Sequence, residues 1–140
     1  MTNIDPVELV RRYVAVWNEP DAEARREAVR GLWAEDGAHV LQPPQEIREA
    51  AAALGFPETS LRAAGHDALE VRTARAYADF VAPGTYKFQP RANAGRLGNV
   101  VKFNWEMLPT SGGAPAAVGL EILVLDGDGR IKTDYQFIES

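Results

Sequence analysis

One run, AAVGLEILVL at residues 116–125, limits what this chain can fold into more than any other. It has the length and β-branched content of a strand. Val118, Leu120, Ile122 and Val124 fall on one face, and Gly119, Leu123 and Leu125 on the other. A strand apolar on both faces must be covered on both. Helices of the same chain supply one cover, and a second copy of the chain supplies the other. Glu121 interrupts the second face. An ionised carboxylate there costs several kcal/mol unless it is paired or hydrogen-bonded. Three readings stay open for it: an acid whose pKa is raised into a useful range, half of a structural ion pair with an Arg or Lys, or a carboxylate that a bend in the sheet lets reach water.

The neighbouring strands place that run inside a sheet. In NVVKFNWEML, Val101, Phe103, Trp105 and Met107 share a dry face, and Lys102, Asn104 and Glu106 share a wet one. The DGDG after Leu125 is a hairpin signal leading into RIKTDYQFIE. TYKFQ is a further strand in the same half. The first half reads as helix. In DPVELVRRYVAVWN, Asp5 caps the start, Pro6 lies in the first turn and Glu8 completes a capping-box spacing. A second helix runs from Asp21, with Ala28, Val29, Leu32 and Trp33 on its inner face and EDG as its stop. AHVLQ is a short strand, and QEIREAAAAL a short helix closed by Gly55. FPETSLRAAG reads as a loop. HDALEVRTARAYADFVA is a third long helix, with Asp67 and Glu70 at capping-box spacing and Val71, Ala74, Tyr77, Ala78 and Val81 on one face. Helices followed by an antiparallel meander make an α+β fold, a curved sheet packed against three main helices of the N-terminal half. Residues 1–140 form one domain.

Composition excludes several classes. With no cysteine, a thiol nucleophile, a disulfide and a thiolate metal site are all out. A net charge of −5 argues against nucleic acid and against an anionic membrane surface. No apolar run approaches the ~20 residues of a membrane span, and MTNIDPVELVRRY does not read as a signal peptide. A soluble cytoplasmic protein is expected. Two histidines without HExxH spacing make no metal motif, so no metal and no cofactor are expected.

Other side chains are candidates beside Glu121. His39 alternates with Leu41 on the first strand. It either shuttles protons in a cavity or is a core histidine bonded to backbone. Asp134 and Gln136 share a face of the last strand, and Tyr135 and Phe137 take the other. Parity leaves two placements for Asp134 and Gln136, the solvent side of an edge strand or the face beside Glu121. Tyr13, Trp17, Trp33, Tyr77, Phe80, Phe103 and Trp105 are the aromatic stock, suited to a core or to the lining of a pocket.

RRYVAVWNEPD, LWAEDGAHV and VGLEILVLDGDGRIKTDYQFIE, with the order of elements, resemble the nuclear transport factor 2-like superfamily, in particular its SnoaL-like polyketide cyclase and ketosteroid isomerase-like branch. The resemblance implies a cone-shaped antiparallel sheet, described as a cystatin-like α+β barrel. It also implies an apolar cavity and a homodimer through the sheet. It implies a small apolar ligand and cofactor-free acid–base chemistry on an apolar carbonyl compound, by isomerisation or cyclisation. Non-catalytic ligand-binding or dimerisation modules share the fold. On the resemblance, Glu121 matches a pocket acid, Tyr13 a hydroxyl donor to a ligand oxygen, and His39 is the partner available to Glu121. Trp17, Trp105, Phe103, Tyr77, Asp134, Gln136 and Leu41 become candidates for contact with a ligand. The isomerases carry an aspartate base on the first strand; Leu41 occupies that place and cannot accept a proton.

Overall fold

A computed structural model describes residues 4–56 and 60–139. Helix α1, Pro6–Asn18, is capped by Asp5, whose Oδ1 accepts from Val7 N at 3.0 Å. Its inner side buries Leu9, Val10, Tyr13, Val14 and Val16. Helix α2, Ala22–Leu32, is capped by Asp21 and buries Val29 and Leu32. Strand β1 follows directly as Trp33–Leu41. After it come α3, Gln45–Ala53, β2, Leu61–Ala64, and α4, His66–Ala76, which continues into a π-helical turn at Tyr77–Val81. The remaining strands are β3, Tyr86–Pro90, β4, Gly95–Leu97, β5, Val100–Pro109, β6, Ala117–Leu125, and β7, Ile131–Ile138.

The seven strands form one curved sheet in the order β2-β1-β7-β6-β5-β3, with β4 paired to β5. The α+β class and the helix-then-strand order stand as read. Two features of the sheet differ from the expectation. It is mixed, because β1 and β7 run parallel, with His39 opposite Asp134 and Leu41 opposite Gln136. It is also open rather than closed into a barrel, since β2 and β3 are its ends. The parallel pairing makes β7 an interior strand, so the edge-strand placement of Asp134 and Gln136 is excluded.

Local corrections have local causes. Trp33 begins β1 instead of ending α2, and EDG lies within that strand. The strand is irregular between Trp33 and Ala38, where Gly37 admits a close approach: a Cβ there would stand 2.7 Å from the Ile131 carbonyl oxygen. The expected loop before α4 contains β2, paired antiparallel to β1; part of that stretch, residues 57–59, lies outside the described residues. Helix α4 starts after Gly65 with no side-chain cap, so the Asp67–Glu70 spacing is not used as a capping box. Val71 faces solvent, and the buried residues of α4 are Leu69 and Thr73.

The core lies between the helices and one face of the sheet. Val101, Phe103, Trp105, Leu123, Leu125 and Ile131 face it from the strands, and α1 and α2 close over them. Burial of this apolar surface is the main stabilising term. Asn18 ties the end of α1 to the edge strand β3, donating to Phe88 O at 2.8 Å and accepting from Phe88 N at 2.9 Å. The side-chain amide thus substitutes for a strand partner on an exposed edge. The opposite face of the sheet is half-covered: Leu120 pairs with Phe137 and Ile122 with Tyr135, and both aromatics are 41% exposed.

Candidate functional site

The inward positions of β1, β6 and β7 bring His39, Glu121 and Asp134 together. One ligand-type atom from each lies within 4.8 Å of the others. Glu121 and Asp134 are fully buried, and His39 is 1% exposed. The strand register produces this cluster: Asp134 sits opposite His39 on one side and Leu123 on the other, and Gln136 sits opposite Glu121.

Four side chains hold the cluster. Tyr13 Oη, on α1, donates to Asp134 Oδ2 at 2.6 Å. Trp105 Nε1, on β5, donates to Glu121 Oε1 at 2.9 Å. The indole reaches it because Gly119, opposite Trp105 in the ladder, leaves room for the ring. His39 Nε2 lies 2.9 Å from Gln136 Oε1, and Arg72 Nη1, on α4, lies 3.1 Å from His39 Nδ1. A guanidinium can only donate, so Nδ1 accepts and Nε2 carries the hydrogen that goes to Gln136.

Burial raises the Glu121 pKa well above the ordinary carboxyl value, and the Asp134 carboxylate beside it pushes the same way; donors from Trp105 and Tyr13 oppose the shift only in part. Two adjacent buried carboxylates cannot both ionise cheaply. Taken as carboxylates, Glu121 Oε2 and Asp134 Oδ1 have no partner among the described residues. A proton on Glu121 removes one of the two buried charges and with it the repulsion between the neighbouring acids. Burial holds the Tyr13 hydroxyl well above its usual value, with Asp134 and Glu121 adding to the effect, so it remains a phenol at neutral pH. Burial lowers the pKa of His39, and the Arg72 charge lowers it further against the pull of Asp134. At neutral pH the imidazole of His39 and the phenol of Tyr13 are therefore uncharged, and Glu121 is the group of the cluster that burial drives toward the protonated acid.

By distance, His39, Glu121 and Asp134 could surround a cation. The hydrogen-bond pattern does not suit one. The imidazole lone pair faces a guanidinium, and the nitrogen nearer the carboxylates, 3.9 Å from Asp134 Oδ2, carries a hydrogen. This donor set holds protons.

Other candidates surround the cluster unevenly. Phe103 stands edge-on to Tyr13 at 5.4 Å, and Trp17 lies 6.0 Å from Tyr13 and 5.4 Å from His39 between ring centroids. Tyr77 lies in the π-helical turn under the Arg25 guanidinium, 4.7 Å from its centroid. Leu41 and Gln136 line a separate groove of about 750 Å³ at the ends of β1 and β7, walled by α3. His66 opens α4, its Nε2 bonded to Trp33 O at 2.9 Å, away from the acids. Sequence reasoning missed Arg72. It is one of two arginines on α4, and only the fold shows that it meets His39.

No protein-family model matches the chain, and no curated protein matches it. Solved structures do. A SnoaL-like family protein from Agrobacterium tumefaciens superposes with a TM-score of 0.76 at 24% identity, over 96% of this chain and 97% of that one. A nuclear transport factor 2-like protein of unknown function from Mesorhizobium loti gives 0.63 at 17%, over 99% and 98%. A protein with a cystatin-like fold from Silicibacter pomeroyi gives 0.59 at 14%, over 94% and 74%. The chain therefore has the fold of the SnoaL-like and nuclear transport factor 2-like proteins.

Proposed function

We propose that this chain is a small-molecule pocket protein of the SnoaL-like type, with cofactor-free acid–base chemistry on an apolar carbonyl compound, by isomerisation or cyclisation. One observation carries the reading: a buried carboxylic acid, Glu121, sits against a second acid in an aromatic setting. Such an acid donates a proton or hydrogen bond to a developing oxyanion at neutral pH. In the resting cluster Tyr13 gives its one hydroxyl hydrogen to Asp134; when a ligand oxygen enters, Glu121 and Tyr13 redirect their hydrogens to it, and His39 is a neutral partner. Leu41 contributes no base, so proton abstraction from carbon falls to this cluster or to the substrate's own groups.

A second reading has its own support. The acids are wholly buried and their donors are internal, which is also how a non-catalytic ligand-binding or dimerisation module keeps a polar core satisfied. In either reading the chain is a cytoplasmic homodimer. Its half-covered face, with Leu120, Ile122, Val124, Tyr135 and Phe137, packs against a second copy.

Turnover of a β,γ-unsaturated cyclic ketone to its conjugated isomer separates the two. Catalysis that falls about a hundredfold or more in Glu121→Gln supports the enzyme reading. Equal rates in wild type and variant remove Glu121 from the chemistry.

A further inference from the structure

The groove at the ends of β1 and β7 has a hydrogen-bonding polarity that the fold fixes. Its apolar walls come from Val40, Leu41, Tyr135 and Phe137, and its polar side chains include Gln42, Arg48 and Gln136. An unconstrained glutamine can offer either end of its amide. These two cannot. Because Arg72 can only donate, His39 Nδ1 must accept, so Nε2 donates and Gln136 Oε1 is the acceptor at 2.9 Å. Gln136 is left with its NH₂ end for the groove. Gln42 Oε1 likewise accepts, from Ile138 N at 3.3 Å, and leaves its NH₂ end. Arg48 commits its Nε to Pro43 O at 3.1 Å and keeps its terminal donors. On the same wall, Glu49 is engaged by Gln45, whose Nε2 donates to Glu49 Oε1 at 2.8 Å.

We propose that this groove binds a small unsaturated or aromatic carboxylate, its ring body between Leu41 and Ala52 of α3 and its oxygens on the amide hydrogens of Gln136 and Gln42 and the guanidinium of Arg48. The inference deepens the small-molecule reading and rests on it, but not on chemistry at Glu121. Among the described residues, Gln136 is the one side chain that both lines the groove and bonds His39, so occupancy of the groove bears on the hydrogen bond of the imidazole beside the buried acids.

The test is titration of the folded protein with naphthalene-2-carboxylate, and separately with 2-naphthylmethylammonium, which has a similar ring but donors instead of acceptors. Amide NMR of Leu41, Gln42 and Gln136 reports the site. The carboxylate is expected to bind and shift these amides, while the ammonium compound binds at least about tenfold more weakly. Gln136→Glu and Gln42→Glu keep the oxygen that accepts from His39 or from Ile138 N but replace the donor end with an anion. Each is expected to weaken the carboxylate about tenfold or more, with unchanged far-ultraviolet circular dichroism. Equal binding of the two compounds, no binding of the carboxylate, or indifference to both substitutions overturns the proposal. Binding is read without turnover, so failure of the Glu121 chemistry leaves this result standing, and absence of binding leaves the Glu121 chemistry standing.

Discussion

Trp105 lies flat against Gly119, its partner on the next strand, so closely that a Cβ on residue 119 would fall 2.1 Å from the indole Cε2. This seat lets Trp105 Nε1 reach Glu121 Oε1 at 2.9 Å. A glycine in the middle of a strand is ordinarily a weakness, and here it admits the ring that caps the buried acid.

Gly119→Ala should therefore unseat Trp105. Overpacking of this kind costs about 1–3 kcal/mol. Chemical denaturation should show that loss, and indole fluorescence should shift to the red as the ring moves toward water. An unchanged midpoint with unchanged fluorescence would show that the seat is not needed.

The raised pKa of Glu121 fixes the sign of a stability–pH relation. The folded state holds a proton that the unfolded chain releases above about pH 4.5. The favourable contribution is complete below that value and is lost as pH rises through the folded pKa, at about 1.4 kcal/mol for each pH unit crossed between the two. Glu121→Gln carries no such proton. Its melting temperature relative to wild type should climb as pH rises from about 5 to about 8. A difference constant with pH, or one of opposite sign, counts against a protonated Glu121.

Tyr13→Phe removes the hydroxyl that donates to Asp134 Oδ2 and keeps the ring. Leaving that buried oxygen without its donor costs about 1–3 kcal/mol. Because the Tyr13 hydroxyl also lowers the Glu121 pKa, its loss should push that value further up. Urea denaturation checks the first effect and carboxyl NMR the second.

Arg72→Met removes a cation that disfavours imidazolium at His39. The His39 pKa should rise, and ring-proton NMR should report both the rise and a change of tautomer. A pKa that stays put or falls means that Arg72 does not set the protonation state of His39.

The sequence carried some of this plainly and some not at all. Alternation in β5 located the dry face with Phe103 and Trp105, and the apolar run of β6 singled out Glu121, because both signals are local. Asp134 and Gln136 stayed ambiguous because alternation says which residues share a face, not which face is inside. Only the parallel pairing of β7 with β1, a contact across about a hundred residues, decides it. The start of β1 was hidden because Trp33 continues the apolar spacing of α2 into an irregular strand. Arg72 gave no signal, since its role depends on where His39 lies in space.

Whether a proton is stored at the centre of the site is decided by carbon-13 NMR of the Glu121 side-chain carboxyl, titrated between about pH 4 and pH 9. A carboxyl held by burial and by Asp134 titrates well above its ordinary value and stays protonated at pH 7. A Glu121 signal that titrates near its ordinary 4.5 would contradict this, because the buried pair would then be two carboxylates with no proton between them.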